Sequence, residues 1–336
     1  MTTTLRAVPR GRPPVNDDDD DDDACASSDR EEGGVAGVAS QAVPLRKLLR
    51  RRYVGALTLL CVLSTALVGR FLLSESLTVD SSALESSPPS CVVRVNTFRR
   101  NDLLSKFAAH YERCEAVAEI TVVWSDQEND PPKWLLHKKK KIRVERHTFD
   151  SLNNRFRPLS PPLREAILSI DDDVFVSCST VAAMVGAFRQ APRQMVGLAP
   201  RLATRDRYLR WWHVWWNGRY TMVLSKVAVF HRDYLAAYFH PKLERLRRHV
   251  HEHRNCEDIA MSFIVANATK APPVWLKAPY TDYGQSVYRS HAGISAQSGH
   301  IDIRTDCLAL FTDIFGTFPL VTGDHKLVPA TKEWFW

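Results

Sequence analysis

The stretch Ala166-Ile167-Leu168-Ser169-Ile170, followed by Asp171-Asp172-Asp173 and then Val174-Phe175-Val176, decides how this chain is read. A short continuous apolar run suits a strand at the centre of a parallel sheet. Carboxylates bunched at the end of such a strand repel one another unless something positive sits between them. A divalent cation is the usual answer, and a diphosphate is the usual third party. In open α/β sheets, ligands collect beyond the carboxyl ends of the strands, where Asp171 to Asp173 would lie. A D-x-D at a strand end would offer two carboxylates from the same side of an extended backbone.

The neighbouring segments fit such a sheet. Val92 to Phe98 alternates and is β-branched, which predicts a strand. Asn101 or Asp102 can cap a helix that follows, with Leu103, Leu104, Phe107, Ala108 and Tyr111 on one face. Ile120 to Trp124, Ile142 to Val144 and Met195 to Ala199 predict further strands, and Thr180 to Phe188 a helix. Strand and helix alternate, which argues for an α/β fold. After residue 200 the pattern changes. Trp211-Trp212-His213-Val214-Trp215-Trp216 precedes a turn at Asn217-Gly218, a strand from Tyr220 to Phe230, and an apolar helix from Asp258 to Ala266.

The 336 residues are 45% hydrophobic and 25% charged, as globular proteins are, with a formal net charge of +7. Much of the basic charge sits in short runs, and no Arg/Lys-and-aromatic module marks a nucleic-acid binder. Residues 1–52 include an unbroken Asp run, Asp17 to Asp23, and read as a disordered, cytosolic tail. Tyr53 to Gly69 carries no charge, and Phe71-Leu72-Leu73 extends it beyond Arg70, predicting a transmembrane signal-anchor helix over 53–73. Arg46, Lys47 and Arg50 to Arg52 precede it, so the positive-inside rule puts the remainder in the lumen. The Ser-rich residues 74–90 read as a stem and 91–336 as the lumenal domain. In that oxidising compartment Cys91, Cys114, Cys178, Cys256 and Cys307 can form disulfides, in pairings the spacing leaves open. No CxxC pair suggests zinc. Asn267-Ala268-Thr269 is a glycosylation sequon.

Several residues could carry chemistry. Glu257 and Asp258 sit where the apolar helix begins. Capping by Asn255 and a favourable helix dipole would account for them; so would a catalytic carboxylate for glycosyl transfer through an oxocarbenium-like transition state. Arg155 could hold phosphate. The four clustered Trp suit packing, a sugar-stacking platform, or a seat at a membrane interface. His249, His251 and His253 alternate, as metal ligands on one face of a strand would.

Seven motifs then occur in order: Thr97 to Leu104, Val122-Val123-Trp124, Asn154-Arg155, Asp171-Asp172-Asp173, Val196 to Arg201, Tyr220 to Leu224, and Asn255 to Met261. Together they resemble the exostosin-like glycosyltransferases of family 64, from about Cys91 to the C-terminus. The nearer likeness is to plant members that mannosylate glycosylinositol phosphorylceramide. The resemblance implies a GT-A fold with a Rossmann-like open sheet and a D-x-D metal motif. It further implies Mn2+ dependence, a Golgi type II membrane protein, and retaining transfer of mannose from GDP-mannose to a sphingolipid glycan acceptor. By the same resemblance Asp173 is the metal ligand and Asp258 the catalytic carboxylate, with Glu257 beside it. Asn96, Arg100, Arg155, Asp171 and Asp172 would contact the donor, and Cys256 and Cys307 would pair. Gly293 to His300 lacks the Arg that animal members carry there, and Ser125 replaces an Asn; both departures fit a guanine nucleotide. A transferase using UDP-N-acetylglucosamine, or a silent glycan-binding partner of another transferase, would share many of these features.

Overall fold

The computed structural model describes residues 54–65, 90–136, 141–285 and 299–328. The chain divides into two compact units, residues 1–83 and 84–336. In the first, 54–65 are helical, and no described helix is long and apolar enough to cross a membrane. The expected tail (1–52), most of the stem (74–90), the rest of the expected anchor, and the 286–298 segment lie outside the described residues.

The second unit is a mixed α/β fold. Its strands are β1 (Cys91–Thr97), β2 (Val117–Trp124), β3 (Ile142–Arg146), β4 (Ala166–Asp171), β5 (Val174–Phe175), β6 (Val196–Gly197), β7 (Pro200–Thr204), β8 (Arg207–Leu209), β9 (Met222–Val223), β10 (Val227–His231), β11 (Val274–Leu276), β12 (Thr281–Asp282) and β13 (Lys326–Leu327). Eight of them form one sheet in the order β13-β11-β6-β10-β4-β1-β2-β3. The run that opened the reading is its centre: Ala166 to Ile170 are all buried. On one side β4 pairs in parallel with β1, which pairs in parallel with β2. On the other side β10 runs antiparallel, so the sheet is parallel-rich rather than uniformly parallel.

The β1–β4 register sets Asn96 opposite Asp171, which gathers functional groups at the carboxyl ends of both strands. The expected strand over 220–230 is in fact two, β9 and β10, interrupted at Leu224 to Lys226. There the Lys226 carbonyl accepts the Asp171 N–H at 3.0 Å, so the interruption serves the end of β4. The helix Asn101–Tyr111 buries the five apolar residues its periodicity marked. Neither Asn101 nor Asp102 caps it; Arg100 occupies the cap, without a side-chain cap bond. The helix Glu244–His253 replaces the strand imagined for the three histidines. It buries Leu246 and Val250 one turn apart, stacks His249 on His253 and turns His251 towards Phe149.

Cys256 and Cys307 are joined, as the resemblance implied, and Cys114 is joined to Cys178. Cys91 is the odd thiol; burial pushes it up to about 12, which makes it unreactive. One charged residue sits inside β1. Arg94 is fully buried and ion-paired to Glu145 at 2.9 Å. Its Nε and Nη2 donate to the carbonyls of Arg155 and Arg157, at 3.0 and 3.2 Å. These bonds clamp the 3-10 turn Leu152–Phe156, which carries Arg155, beneath the sheet.

Breaking a buried ion pair from one side is costly; without Arg94, Glu145 would keep Arg143 at 3.0 Å but lose its buried partner, and the carbonyls of Arg155 and Arg157 would lose their donor. Arg94→Met should therefore lower the unfolding free energy by about 3–5 kcal/mol in urea titration. Adding Glu145→Met should restore much of that loss. A double variant as unstable as the single would show that the pair does not hold this turn.

Candidate active site

The triplet lies at the mouth of a cleft of about 990 Å³. Asp171 ends β4, while Asp172 and Asp173 form a turn before β5, so the three do not share an extended backbone. The turn divides them between two cations. Arg155, itself buried, holds Asp171 at 2.5 Å. Arg100 bridges Asp172 and Asp173 at 3.0 and 2.8 Å. Asp172 also accepts the Thr97 hydroxyl at 2.8 Å. Burial and the adjacent Asp173 outweigh these contacts and push Asp172 up to about 6. Burial, Asp171 and Asp282 raise Asp173 as well, against the pull of Arg100. The antiparallel pairing of β5 with β12 brings Asp282 to this corner. The added acid is met by Lys226, 2.5 Å from Asp282. Asn96 lines the same cleft, and its buried Oδ1 has no hydrogen-bond partner among the described residues.

The same cleft is lined by Glu257 and Asp258, in the first turn of the helix Glu257–Thr269. Asn255 does not cap this helix. Cys256 takes that position with a left-handed φ of 74°, and the Asn255 side chain accepts the Cys256 N–H instead. A non-glycine residue in that region costs about 1–3 kcal/mol. The Cys256–Cys307 bond holds it against the helix His300–Phe315. From that helix buried Arg304 reaches Asp258 at 2.7 Å and Asn255 at 3.2 Å, with its guanidinium over the Tyr208 ring at 4.4 Å. Burial alone would push Asp258 up. Arg304 and the Ile259 N–H overcome it and keep this carboxyl below its usual range. Glu257 makes no ion pair of its own among the described residues. Burial and Asp258 push it up to about 7.

All eight expected donor, metal and catalytic residues therefore line one cleft. Lys226, Asp282, Arg304 and Tyr208 were not anticipated. Arg304 lies four residues beyond the departing Gly293 to His300 segment, and it engages Asp258 rather than the triplet. Ser125 is buried, and its hydroxyl accepts the Asn154 side-chain N–H at 3.1 Å. The four Trp do not pack into the core, and Trp211 and Trp212 border the cleft. Asn267 is exposed in the last turn of its helix, accepting from Lys270 at 2.8 Å.

With this arrangement established, comparison with known proteins narrows its meaning. Residues 90–332 match the Glycosyl transferase family 64 domain. The chain is 37% identical to glycosylinositol phosphorylceramide mannosyl transferase 1 of Arabidopsis thaliana over 87% of its own length and 93% of that protein's. It is 33% identical to glucosamine inositolphosphorylceramide transferase 1 of Oryza sativa subsp. indica, over 64% of this chain and 29% of that one. Exostosin-2 of Homo sapiens is 29% identical over 70% of this chain and 33% of its own. The chain thus spans a third or less of those two longer relatives. A solved mannosyltransferase from Pyrobaculum calidifontis, in complex with GDP-Man and Mn2+, aligns with a TM-score of 0.39 and 15% identity over 58% of this chain and 56% of that one, a level that bears on neither donor nor metal. The chain belongs to glycosyl transferase family 64, and it is a glycosyltransferase.

Proposed function

We propose that this enzyme moves mannose from GDP-mannose to the glycan head of a glycosylinositol phosphorylceramide, with retention of configuration, on a GT-A fold that uses Mn2+. The observation that carries this reading is the similarity over nearly the whole chain to a protein named for that transfer. The acceptor class has a second support. The rice relative is named for moving glucosamine, and its name shares the inositolphosphorylceramide. That name also makes an amino-sugar donor the alternative to test. In this reading the 53–73 segment anchors the chain in the Golgi membrane, 91–336 face the lumen, and Asn267 is glycosylated.

The residues fit a hard divalent ion. Asp171 to Asp173 supply oxygen donors only, and among the described residues a single cation, Arg100, pairs with both Asp172 and Asp173. Asp173 would hold the ion, which would neutralise charge on the diphosphate as the donor's sugar–phosphate bond breaks. Arg100 and Arg155 would bind diphosphate oxygens, while Asn96, Asp171, Asp172 and Glu257 orient nucleotide and sugar. Asp258 stays ionised because Arg304 holds it so, and its negative charge would face the anomeric carbon where positive charge develops. The leaving phosphate oxygen takes the bonding pair. The acceptor hydroxyl bonds to the same face of the sugar and passes its proton to an oxygen of the departing diphosphate.

Purified full-length chain with Mn2+ should transfer mannose from GDP-mannose to glycosylated inositol phosphorylceramide, and chelation should stop it. Asp173→Ala and Asp258→Asn should each lower kcat by at least about 100-fold. Product from UDP-N-acetylglucosamine but not from GDP-mannose would overturn the donor assignment, and full activity in both variants would overturn the site.

Arg304 gives a pH signature. The folded Asp258 carboxyl lies below its unfolded value, so its stabilisation is present above the ordinary carboxylate range and fades as pH falls through the folded value. Arg304→Met strands this carboxylate, so the variant should lose about 3–5 kcal/mol near neutral pH. That gap should narrow in acid as Asp258 protonates. A gap that is constant with pH in urea titrations would show that the pair does not set the Asp258 charge.

A further inference from the structure

The helix Trp211–Asn217 turns its apolar face the wrong way for a core helix. At about 100° per residue, Trp211, Trp212, Trp215 and Trp216 fall within an arc of ~140°. That arc points outward: the four are 58%, 37%, 68% and 74% exposed, while Val214 on the other side is 2% exposed. Single exposed apolar residues are ordinary; four large aromatics in one patch mark an interaction site. The patch has a fixed mount. Gly218 closes the helix with a left-handed φ of 63°, and the β7–β8 hairpin lies just before it.

Along the segment that carries the patch, residues 201–219, the charge is one-sided. Arg205 and Arg207 are exposed at the hairpin tip, and Arg210 and Arg219 are exposed just before and just after the helix. None of these four forms an ion pair among the described residues. Asp206 is the lone acid between residues 201 and 219, and it accepts the Thr204 hydroxyl.

We propose that this ridge seats in the headgroup layer of an anionic lipid bilayer. Indole rings favour the membrane–water interface, with an apolar body and a polar N–H. Exposed guanidinium groups beside them gain from anionic headgroups, and the two contributions add. A second copy of this chain is a poorer occupant. A two-fold contact sets the same patch against itself, and here that would crowd uncompensated arginines together. A glycan alone is also poorer, because Trp215 and Trp216 do not line the cleft. Arg210, Trp211 and Trp212 do line it, so the seated ridge brings the cleft mouth to the headgroup layer. There a lipid-borne acceptor would present its glycan, a consequence that rests on the acceptor class proposed above.

The test uses the full chain reconstituted in phosphatidylcholine vesicles, with and without phosphatidylinositol, containing lipids brominated high on the acyl chains. Tryptophan emission should show a quenched component that Trp215→Ala/Trp216→Ala removes. Omitting phosphatidylinositol should weaken it, and Arg207→Gln and Arg219→Gln should each lower the docked-to-undocked ratio roughly fivefold. Quenching untouched by the Trp substitutions would overturn the proposal. So would indoles shielded from aqueous acrylamide yet unquenched by the bromolipids, the signature of a protein interface. The Trp double variant should also lose transfer to acceptor embedded in the bilayer and keep transfer to the detached, soluble glycan. Wild-type chain that transfers to neither acceptor would sink the functional reading, and the quenching would still decide the docking.

Discussion

Eight carboxylates line one cleft, six of them at Asp171 to Asp173, Asp282, Glu257 and Asp258, and such crowding needs compensating cations that much of the fold is arranged to supply. Arg155 meets Asp171, Arg100 meets Asp172 and Asp173, Lys226 meets Asp282, and Arg304 meets Asp258. Each cation comes from a different segment: a 3-10 turn, the start of a helix, the β9–β10 turn and the last long helix. The acids thereby tie the 3-10 turn and the helix start to the end of β4, the β9–β10 turn to β12, and the last long helix to the start of the Glu257–Thr269 helix. Buried pairs of this kind add little net stability but are expensive to break singly, which makes them devices for fixing geometry. Glu257 has no such cation among the described residues, and burial with the neighbouring Asp258 pushes it up to about 7.

The compensation is uneven, and the unevenness has chemical consequences. Asp258 is held ionised by a dedicated guanidinium, whereas Asp172 and Asp173 share one and sit above the usual carboxylate range. A carboxylate held ionised by its own guanidinium and an under-neutralised oxygen cluster in the same cleft are what a transferase of charged donors requires. The first can face a cationic reacting carbon and the second can take up a cation with the diphosphate.

Much of this was legible along the chain because it is local. The apolar run of β4, the buried face of the Asn101–Tyr111 helix, and the acids opening the Glu257–Thr269 helix are patterns within one segment. What escaped was non-local. Arg304 lies 46 residues from Asp258 and Lys226 lies 56 residues from Asp282, so no periodicity joins them. Arg94 breaks the apolar pattern of β1, and only Glu145 on β3 and the carbonyls of Arg155 and Arg157 explain it. The break in the 220–230 strand follows from a carbonyl that the end of β4 needs. Asn255 looks like a cap in sequence, but the disulfide-held turn at Cys256 takes its place.

The central claim is that one cleft holds donor and metal at Asp171 to Asp173 and offers Asp258 to the sugar. A crystal structure of the chain with GDP-mannose and Mn2+ tests it most directly. The account predicts the ion on Asp173, the diphosphate against Arg100 and Arg155, and the anomeric carbon facing an Asp258 still paired with Arg304. A donor bound elsewhere, or bound here with Asp258 turned away from the sugar, would contradict it.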